Sequence, residues 1–188
     1  MLKYIEEYGR YVGITGFRNI SIGDPAGFVK SILAEKQQDI CVQFFNAQLV
    51  ATWEHLYFAA INALLAYRNK RNISKTLAME TMIYASGQRQ IRKAIALLGV
   101  KSNSANIAAT IISDKPDSVQ KALSAIRKHI CAEPDETVLE LTEDKMRGIC
   151  KSFSITEKEL EAVTKKNDTR QAMVDLIIER MALLQTQT

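Results

Sequence analysis

The sequence predicts an α+β protein in which a small, largely antiparallel or mixed sheet packs against several helices and the C-terminal part is helical. Short runs of β-branched and aromatic residues indicate strands, and longer apolar patterns at helical spacing indicate helices between them. A helix–strand–helix order in the middle of the chain lets a late strand return to the sheet begun at the N-terminus. We expect residues 1–188 to form a single domain, because this length gives room for a hydrophobic core.

The N-terminal part of the sequence predicts four elements, three strands and a helix. Residues 2–22 carry β-branched and aromatic residues broken by glycines, which indicates two strands joined by a tight turn. A helix is then expected to begin at Asp24, a plausible N-cap, with Pro25 at the first helical position, and to end near Lys36. Residues 39–45 form a short alternating apolar run and predict a third strand.

The middle of the chain is dominated by helical patterns. Residues 46–67 form the longest one, and its many apolar and small side chains predict a helix buried against the sheet. After a polar loop at 68–72, two short helices are expected, with Ser74 as the cap of the first. Gly87 suits the break between these two helices, and Gly99 suits the end of the second.

The next segment returns to the sheet. The β-branched content of residues 106–112 predicts a strand, and residues 114–117 begin a helix. Residues 137–141, with the sequence TVLEL, predict a last short strand, and Thr142 followed by two acids predicts a helix start.

The C-terminal region is read as helical. Thr156 and Glu159 have the spacing of a capping box, and residues 168–185 predict a final helix. This helix is more apolar than a peripheral helix needs to be, so it is either buried in the core or partly in contact with another protein. The sequence alone favours the core. The apolar stripe consists of Met173, Leu176, Ile177, Met181 and Leu184.

Composition limits the classes of protein that the chain can represent. It is 47% hydrophobic and 24% charged, as in soluble globular proteins. No apolar run approaches the roughly 20 residues that span a bilayer, and the first ten residues lack the apolar core of a signal peptide. We therefore expect a cytoplasmic protein without membrane contact. The three cysteines show no CxxC spacing, which argues against disulfides and a structural zinc site.

Known catalytic motifs are missing from the sequence. It contains no GxGxxG, GxxxxGK[ST], HExxH or GxSxG pattern. His55 lies in an apolar helical pattern, where a core or partner-facing histidine is more common than a catalyst. We expect no catalytic residue, no metal site and no cofactor, and hence a protein that is not an enzyme.

Charge is distributed unevenly along the chain. Residues 67–113 contain eight Lys or Arg residues and a single acid, Glu80, so this segment carries a net charge of +7 in a chain whose total is +4. The remaining residues therefore carry −3. Such segregation indicates either a surface for a polyanion or an ordinary solvated face, and composition does not decide between them.

A motif in the basic segment resembles a known family. Residues 80–95, ETMIYASGQRQIRKAI, followed by Leu98 and Gly99, are similar to the kinase-binding regulatory subunit of the KEOPS complex, and the resemblance is to members of archaeal type. Upstream, Asn46-Ala47, Ala51-Thr52 and His55-x-x-x-Ala59 resemble the long helix of this family; downstream, residues 137–145 resemble its short strand and helix start. The resemblance covers roughly residues 9–185. This chain is longer than the compact family members, and the excess is expected in the N-terminal hairpin and near residues 153–166.

The resemblance implies a non-catalytic accessory protein. Members of this family bind the N-lobe of the small atypical kinase/ATPase subunit of KEOPS and contact other KEOPS subunits indirectly. The complex installs threonylcarbamoyl on the adenosine next to the anticodon (t6A), and the family member is held to capture the CCA end of the tRNA. The residues expected to bind tRNA are Arg71, Lys75, Arg89, Gln90, Arg92 and Lys93. Those expected to bind the kinase are Met173, Leu176, Ile177, Met181 and Leu184.

Two other interpretations stay open at this point. One is a tRNA-binding module that acts without a kinase. The other is an α+β enzyme for a small molecule, with a site that the motif search does not recognise.

Overall fold

A four-stranded antiparallel sheet organises the part of the chain that the structure describes. This computed structural model describes residues 1–24, 27, 40–166 and 168–184. The strands are β1 (Leu2–Ile5), β2 (Arg10–Phe17), β3 (Ile40–Asn46) and β4 (Ile107–Ser113), in the spatial order β1-β2-β4-β3. All three neighbouring pairs are antiparallel, so the predicted α+β class is confirmed with an antiparallel sheet.

Helices cover both faces of this sheet. Within the described residues they are α1 (Trp53–Arg68), α2 (Leu77–Ser86), α3 (Ile91–Leu98), α4 (Pro116–Ile130), α5 (Glu143–Phe153), α6 (Glu157–Val163) and α7 (Thr169–Leu183). Short 3-10 helices occur at Glu6–Tyr8, Ala47–Leu49 and Glu136–Leu139. None of the helices in the described ranges is both long and apolar enough to cross a membrane.

Strand β4 shows how the sheet separates two hydrophobic cores. Successive side chains of a strand point to opposite faces. Ala108 and Ile112 pack in the larger core, which contains buried residues of α1, α2 and α7. Ile107 and Ile111 pack in a smaller core, to which α4 contributes Val119. Because both faces are covered, β4 is buried along its whole length, and the strand predicted at residues 106–112 is confirmed.

One predicted element and two predicted helix starts were wrong. Residues 137–141 do not form a strand, because Asp135 accepts a hydrogen bond from the backbone N–H of Thr137 at 2.9 Å and begins a 3-10 helix there. The long central helix begins at Trp53 and not at residue 46, because the preceding residues form a separate 3-10 turn. The N-cap of α2 is Thr76 and not Ser74.

Other local signals were correct. The N-terminal hairpin forms, and the capping box of Thr156 and Glu159 is present at the start of α6. Asp168 is the N-cap of α7, as the predicted start of the last helix required. The predicted helix at residues 24–36 lies almost wholly outside the described residues.

Gly16 is a position where β2 allows close packing. A Cβ atom there would overlap the side chain of Val138 and lie 2.8 Å from the carbonyl oxygen of Asp135. The backbone N–H of Asp135 also donates to the carbonyl of Gly16 at 2.8 Å. The missing side chain therefore lets the 3-10 helix dock directly on the strand.

We expect Gly16→Ala to lower the free energy of unfolding by roughly 1–3 kcal/mol, because overpacking forces backbone shifts. Gly23→Ala is the matched control, since a Cβ atom at Gly23 meets no atom within 4 Å. Chemical denaturation of both variants measures the effect. Equal stability of Gly16→Ala and the wild type would contradict the close approach.

Candidate functional site

Helix α2 lies at the centre of the candidate site. Every residue from Glu80 to Ser86 is buried, and the helix packs against α1, α3, α7 and β3. Ten residues at about 1.5 Å each give α2 a length of about 15 Å. The segments that carry the predicted tRNA-binding residues lie immediately before and immediately after this helix.

At the N-terminal end of α2, Glu80 holds the preceding loop. Its carboxylate, which is 0% exposed, accepts hydrogen bonds from the backbone N–H of Ile73 at 3.0 Å and of Ser74 at 2.7 Å. The carboxylate also lies near the positive end of the helix dipole. Glu80 therefore compensates for its burial through backbone donors, and it folds the loop back onto the helix.

Further hydrogen bonds converge on Ser74. Its carbonyl accepts from the Tyr67 hydroxyl at 3.1 Å and from the Asn72 side-chain amide at 2.9 Å. The Ser74 backbone is thus bonded through both its N–H and its carbonyl group. The exposed side chains of Arg71 and Lys75 extend from this bonded loop.

At the C-terminal end of α2, the chain turns at Gly87. This residue has φ of 60° and ψ of 25°, a left-handed conformation that glycine adopts without a steric penalty. The N–H of Gly87 donates to Tyr84 O at 3.0 Å and that of Gln88 to Ile83 O at 3.3 Å. This bonding is a Schellman motif, which ends the helix and directs the chain towards α3.

His55 completes the same helix end from the neighbouring helix α1. Its ring is fully buried, and its Nε2–H donates to the carbonyl of Ala85 at 2.7 Å. Its Nδ1 accepts the backbone N–H of Ala51 at 3.2 Å, which assigns the proton to Nε2. Burial lowers the pKa of His55 to about 4. His55 is therefore a neutral core histidine that satisfies a terminal carbonyl of α2.

Four of the predicted tRNA-binding residues follow this turn and are exposed: Arg89, Gln90, Arg92 and Lys93. Arg89 Nη1 donates to the carbonyl oxygen of Leu184 at 3.1 Å, so this side chain contacts the C-terminal end of α7. Gln90 is the N-cap residue of α3, and its side chain makes no capping hydrogen bond.

Helix α3 presents its cations away from the core. Ala94 and Leu98 are its buried residues. At 100° per residue, Arg92 and Lys93 project on the two flanks opposite this buried side. Ile91 and Ile95, which are 40% and 45% exposed, form an apolar strip between Arg92 and the core.

Most of these cations are not paired with an acid in the part of the chain that the structure describes. Among the described residues, none of the seven ion pairs includes Arg71, Lys75, Arg92 or Lys93. Arg68, at the end of α1, differs: it pairs with Glu7 at 2.8 Å and lies over the Tyr8 ring. Arg68 is therefore paired with an acid, whereas Arg71, Lys75, Arg92 and Lys93 have no acidic partner among the described residues.

The six predicted tRNA-binding residues form two groups. Arg71 and Lys75 precede α2, whereas the group from Arg89 to Lys93 follows it. Helix α2, which is about 15 Å long, separates the two groups along the chain. We call these the loop group and the corner group. The predicted residues thus fall into two groups joined by one buried helix.

The predicted kinase-binding residues have a different location. Met173, Leu176, Ile177, Met181 and Leu184 are all at most 6% exposed and belong to the larger core. A partner can reach these side chains only if α7 moves away from α1. The solvent-facing side of α7 carries Gln171, Asp175, Glu179, Ala182 and Leu183 instead.

A cleft of about 780 Å³ lies where the first turns of α1, α5 and α7 meet. Its lining includes Glu54, Glu140, Glu143 and Asp168, with Arg170 as the basic residue. Across the described residues, no group of three or more His, Cys, Asp or Glu side chains is arranged to hold a metal ion.

The structure confirms the core position that the sequence allowed for His55, but the hydrogen bonds that Glu80 and His55 make were not predicted. Glu80 was visible as the one acid in a strongly basic segment, which is a signal for a structural carboxylate. The bond from His55 to Ala85 joins residues 30 positions apart and leaves no local pattern in the sequence.

An α+β chain with an exposed cationic corner at the end of a buried helix has the features of a recognition protein. Comparison with known families agrees with this class: the family model described as Kinase binding protein CGI-121 matches residues 17–185, and the chain belongs to that family. The Regulatory protein Cgi121 of Methanocaldococcus jannaschii is 35% identical over 113 residues, which are 60% of this chain and 70% of the relative. The resemblance found in the sequence is thereby confirmed.

The buried state of His55 predicts a pH dependence of stability. The pKa of His55 in the folded protein, about 4, lies below the usual histidine pKa of 6.5, so the unfolded chain takes up a proton at a higher pH than the folded protein does. The stability that neutral His55 contributes to the folded protein is fully present above pH 6.5 and is lost as the pH falls towards 4. The pKa difference corresponds to about 3 kcal/mol.

The free energy of unfolding of the wild type should therefore fall by about 3 kcal/mol more between pH 7 and pH 4 than that of His55→Gln. Denaturant unfolding at each pH measures both. His129→Gln, at the exposed histidine, is the matched control. The same pH dependence in wild type and His55→Gln would show that His55 does not titrate in this way.

Proposed function

We propose that this protein is a non-catalytic accessory subunit of the KEOPS complex. It binds and regulates the small kinase/ATPase subunit and helps to recruit tRNA, through its CCA end, for t6A modification. Membership of a kinase-binding family supports the kinase partner, and the relative's name supports a regulatory role. The observation that carries the tRNA part is the set of exposed cations at the two ends of α2, of which Arg71, Lys75, Arg92 and Lys93 form no ion pair with any residue that the structure describes.

The two cationic groups suit an RNA ligand in different ways. Lys and Arg side chains without acidic partners are free to replace counterions at phosphates, which supplies affinity without sequence preference. Gln90 has both a donor and an acceptor for the edge of an unpaired base, and Arg89 offers a planar guanidinium. The end of a tRNA provides both phosphates and unpaired bases, so the corner group fits a single-stranded terminus.

Charge reversal at the corner tests tRNA binding. We expect the double variant Arg92→Glu, Lys93→Glu to bind tRNA roughly tenfold more weakly, with a salt dependence reduced by about two phosphate contacts. Both side chains are exposed, so the fold is preserved. The double variant Lys151→Glu, Lys158→Glu, at exposed lysines of α5 and α6, makes the same change in net charge and is the control. Unchanged affinity in the double variant would remove the corner group from the tRNA site.

The same assay separates recognition of the tRNA end from general polyanion binding. Intact tRNA should bind more tightly than tRNA lacking its CCA end. Equal affinity for the two would mean that the cations serve as a non-specific surface.

The kinase part of the proposal concerns the exposed side of α7. The apolar side of α7 is covered by the protein's own core. A partner that docks on α7 without displacing it therefore contacts the exposed residues Asp175, Glu179 and Leu183. Arg180 holds α7 in place by donating to the carbonyl of Ser154 at 3.3 Å and to Glu159 at 3.1 Å. The helix therefore presents a fixed surface.

Native co-purification with the small KEOPS kinase tests this partner, and a failure to co-purify would contradict the proposal. We expect Ile177→Ala to lower stability by roughly 2–5 kcal/mol through a core cavity, and to weaken kinase binding only in proportion to the unfolded fraction. Glu179→Lys should weaken kinase binding without a loss of stability. Loss of kinase binding by fully folded Ile177→Ala would instead mean that the kinase contacts the buried stripe.

A further inference from the structure

The loop and corner groups stand on backbone segments that have little regular structure of their own. Residues 69–76 connect α1 to α2, and residues 87–90 connect α2 to α3. Side chains on such segments are placed accurately only if the backbone is held by other groups. One fully buried side chain holds each of these segments by its backbone. Glu80 bonds the backbone of residues 69–76, and His55 bonds the backbone of the helix turn directly before residues 87–90.

Glu80 is unusual because it is a buried acid in a segment that binds a polyanion under our proposal. Its carboxylate bonds to backbone N–H groups, and none of the ion pairs among the described residues includes it. An acid whose purpose was to neutralise Arg71 or Lys75 would form an ion pair with one of them. The geometry instead directs both carboxylate oxygens to the loop backbone that carries these cations.

His55 acts at the other end of the same helix. The Ala85 carbonyl that it binds lies two residues before Gly87, where the chain turns towards Arg89. The second ring nitrogen bonds the Ala51 backbone, so the ring connects this turn to the segment before α1. Neither Glu80 nor His55 is exposed, and neither can touch a bound RNA.

We propose that Glu80 and His55 are positioning residues of the tRNA interface, which hold the loop group and the corner group at the two ends of α2 so that both engage one RNA molecule. This inference rests on the proposed tRNA-binding function. Arg71 and Lys75 then contact phosphates away from the tRNA end, while Arg92 and Lys93 contact the end itself. Helix α2 determines the spacing between the two sets of contacts.

Electrostatics and positioning predict opposite effects for one substitution. Glu80→Gln removes a negative charge from the basic segment, so charge alone would strengthen the binding of an anion. Positioning requires weaker binding, because glutamine replaces one carboxylate oxygen with an NH2 donor that faces the backbone N–H donors of Ile73 and Ser74, and its neutral carbonyl oxygen holds the loop less firmly. The sign of the change therefore identifies the role.

The test measures tRNA affinity of Glu80→Gln and His55→Gln across a range of salt concentrations, at a temperature where each variant is fully folded. We expect roughly tenfold weaker binding for Glu80→Gln, with a salt dependence reduced by one to two phosphate contacts, about what the loop group supplies. His55→Gln should weaken binding to tRNA with an intact CCA end more than to tRNA without it. Glu161→Gln, at an exposed acid of α6, makes the same charge change and should bind as well as the wild type.

Amide hydrogen exchange supplies a readout that does not depend on RNA. Glu80→Gln should lose protection at Ile73 and Ser74, whose N–H groups donate to the carboxylate. Where Glu80→Gln fails to fold, Glu80→Asp keeps the charge, shortens the reach of the carboxylate by one methylene and should weaken tRNA binding in the same direction.

The outcomes separate this inference from the proposed function. If Arg92→Glu, Lys93→Glu weakens tRNA binding but folded Glu80→Gln or Glu80→Asp binds as tightly as Glu161→Gln, the positioning role is wrong and the tRNA site stands. If the corner variant has no effect, the proposed tRNA site itself fails. Tighter binding by Glu80→Gln would show that its charge, and not its hydrogen bonds, matters to the RNA.

Discussion

The burial of α2 is the constraint on which the rest of this region depends. The Glu80 carboxylate and the carbonyl groups at the C-terminal end of α2 are buried, so their hydrogen bonds must come from the protein itself. The Glu80 carboxylate folds the preceding loop onto one end, while Gly87 and His55 satisfy the other. The exposed cations stand on the segments that these bonds hold, so the geometry of the candidate RNA surface follows from the polar requirements of a buried helix.

The C-terminal helix separates stability from recognition. Its apolar stripe closes the larger core against α1, and its other side faces solvent. The Arg89 guanidinium donates to the Leu184 carbonyl at the end of this helix. That contact connects the proposed tRNA corner to the helix whose exposed side is the proposed kinase surface.

Local sequence signals identified the elements whose cause is local. The capping box at Thr156, the turn at Gly87 and the periodicity of α7 were all readable, because each depends on residues within one or two turns. The strand predicted at 137–141 failed because Asp135 caps a 3-10 helix that docks on Gly16, a contact across more than 100 residues. The sequence predicted that Arg92 and Lys93 belong to a basic face. It did not predict that the cations of this face fall into a loop group and a corner group.

The sequence by itself determined the α+β class, the concentration of positive charge in one segment and the resemblance to a kinase-binding family. Only the tertiary structure decided which apolar and charged residues are accessible. Periodicity shows that α7 has a wide apolar side, but whether that side meets the protein's own core or a partner depends on where α1 lies. The hydrogen bond that joins His55 to Ala85 likewise forms only when two helices pack, since no local pattern links residues on separate elements.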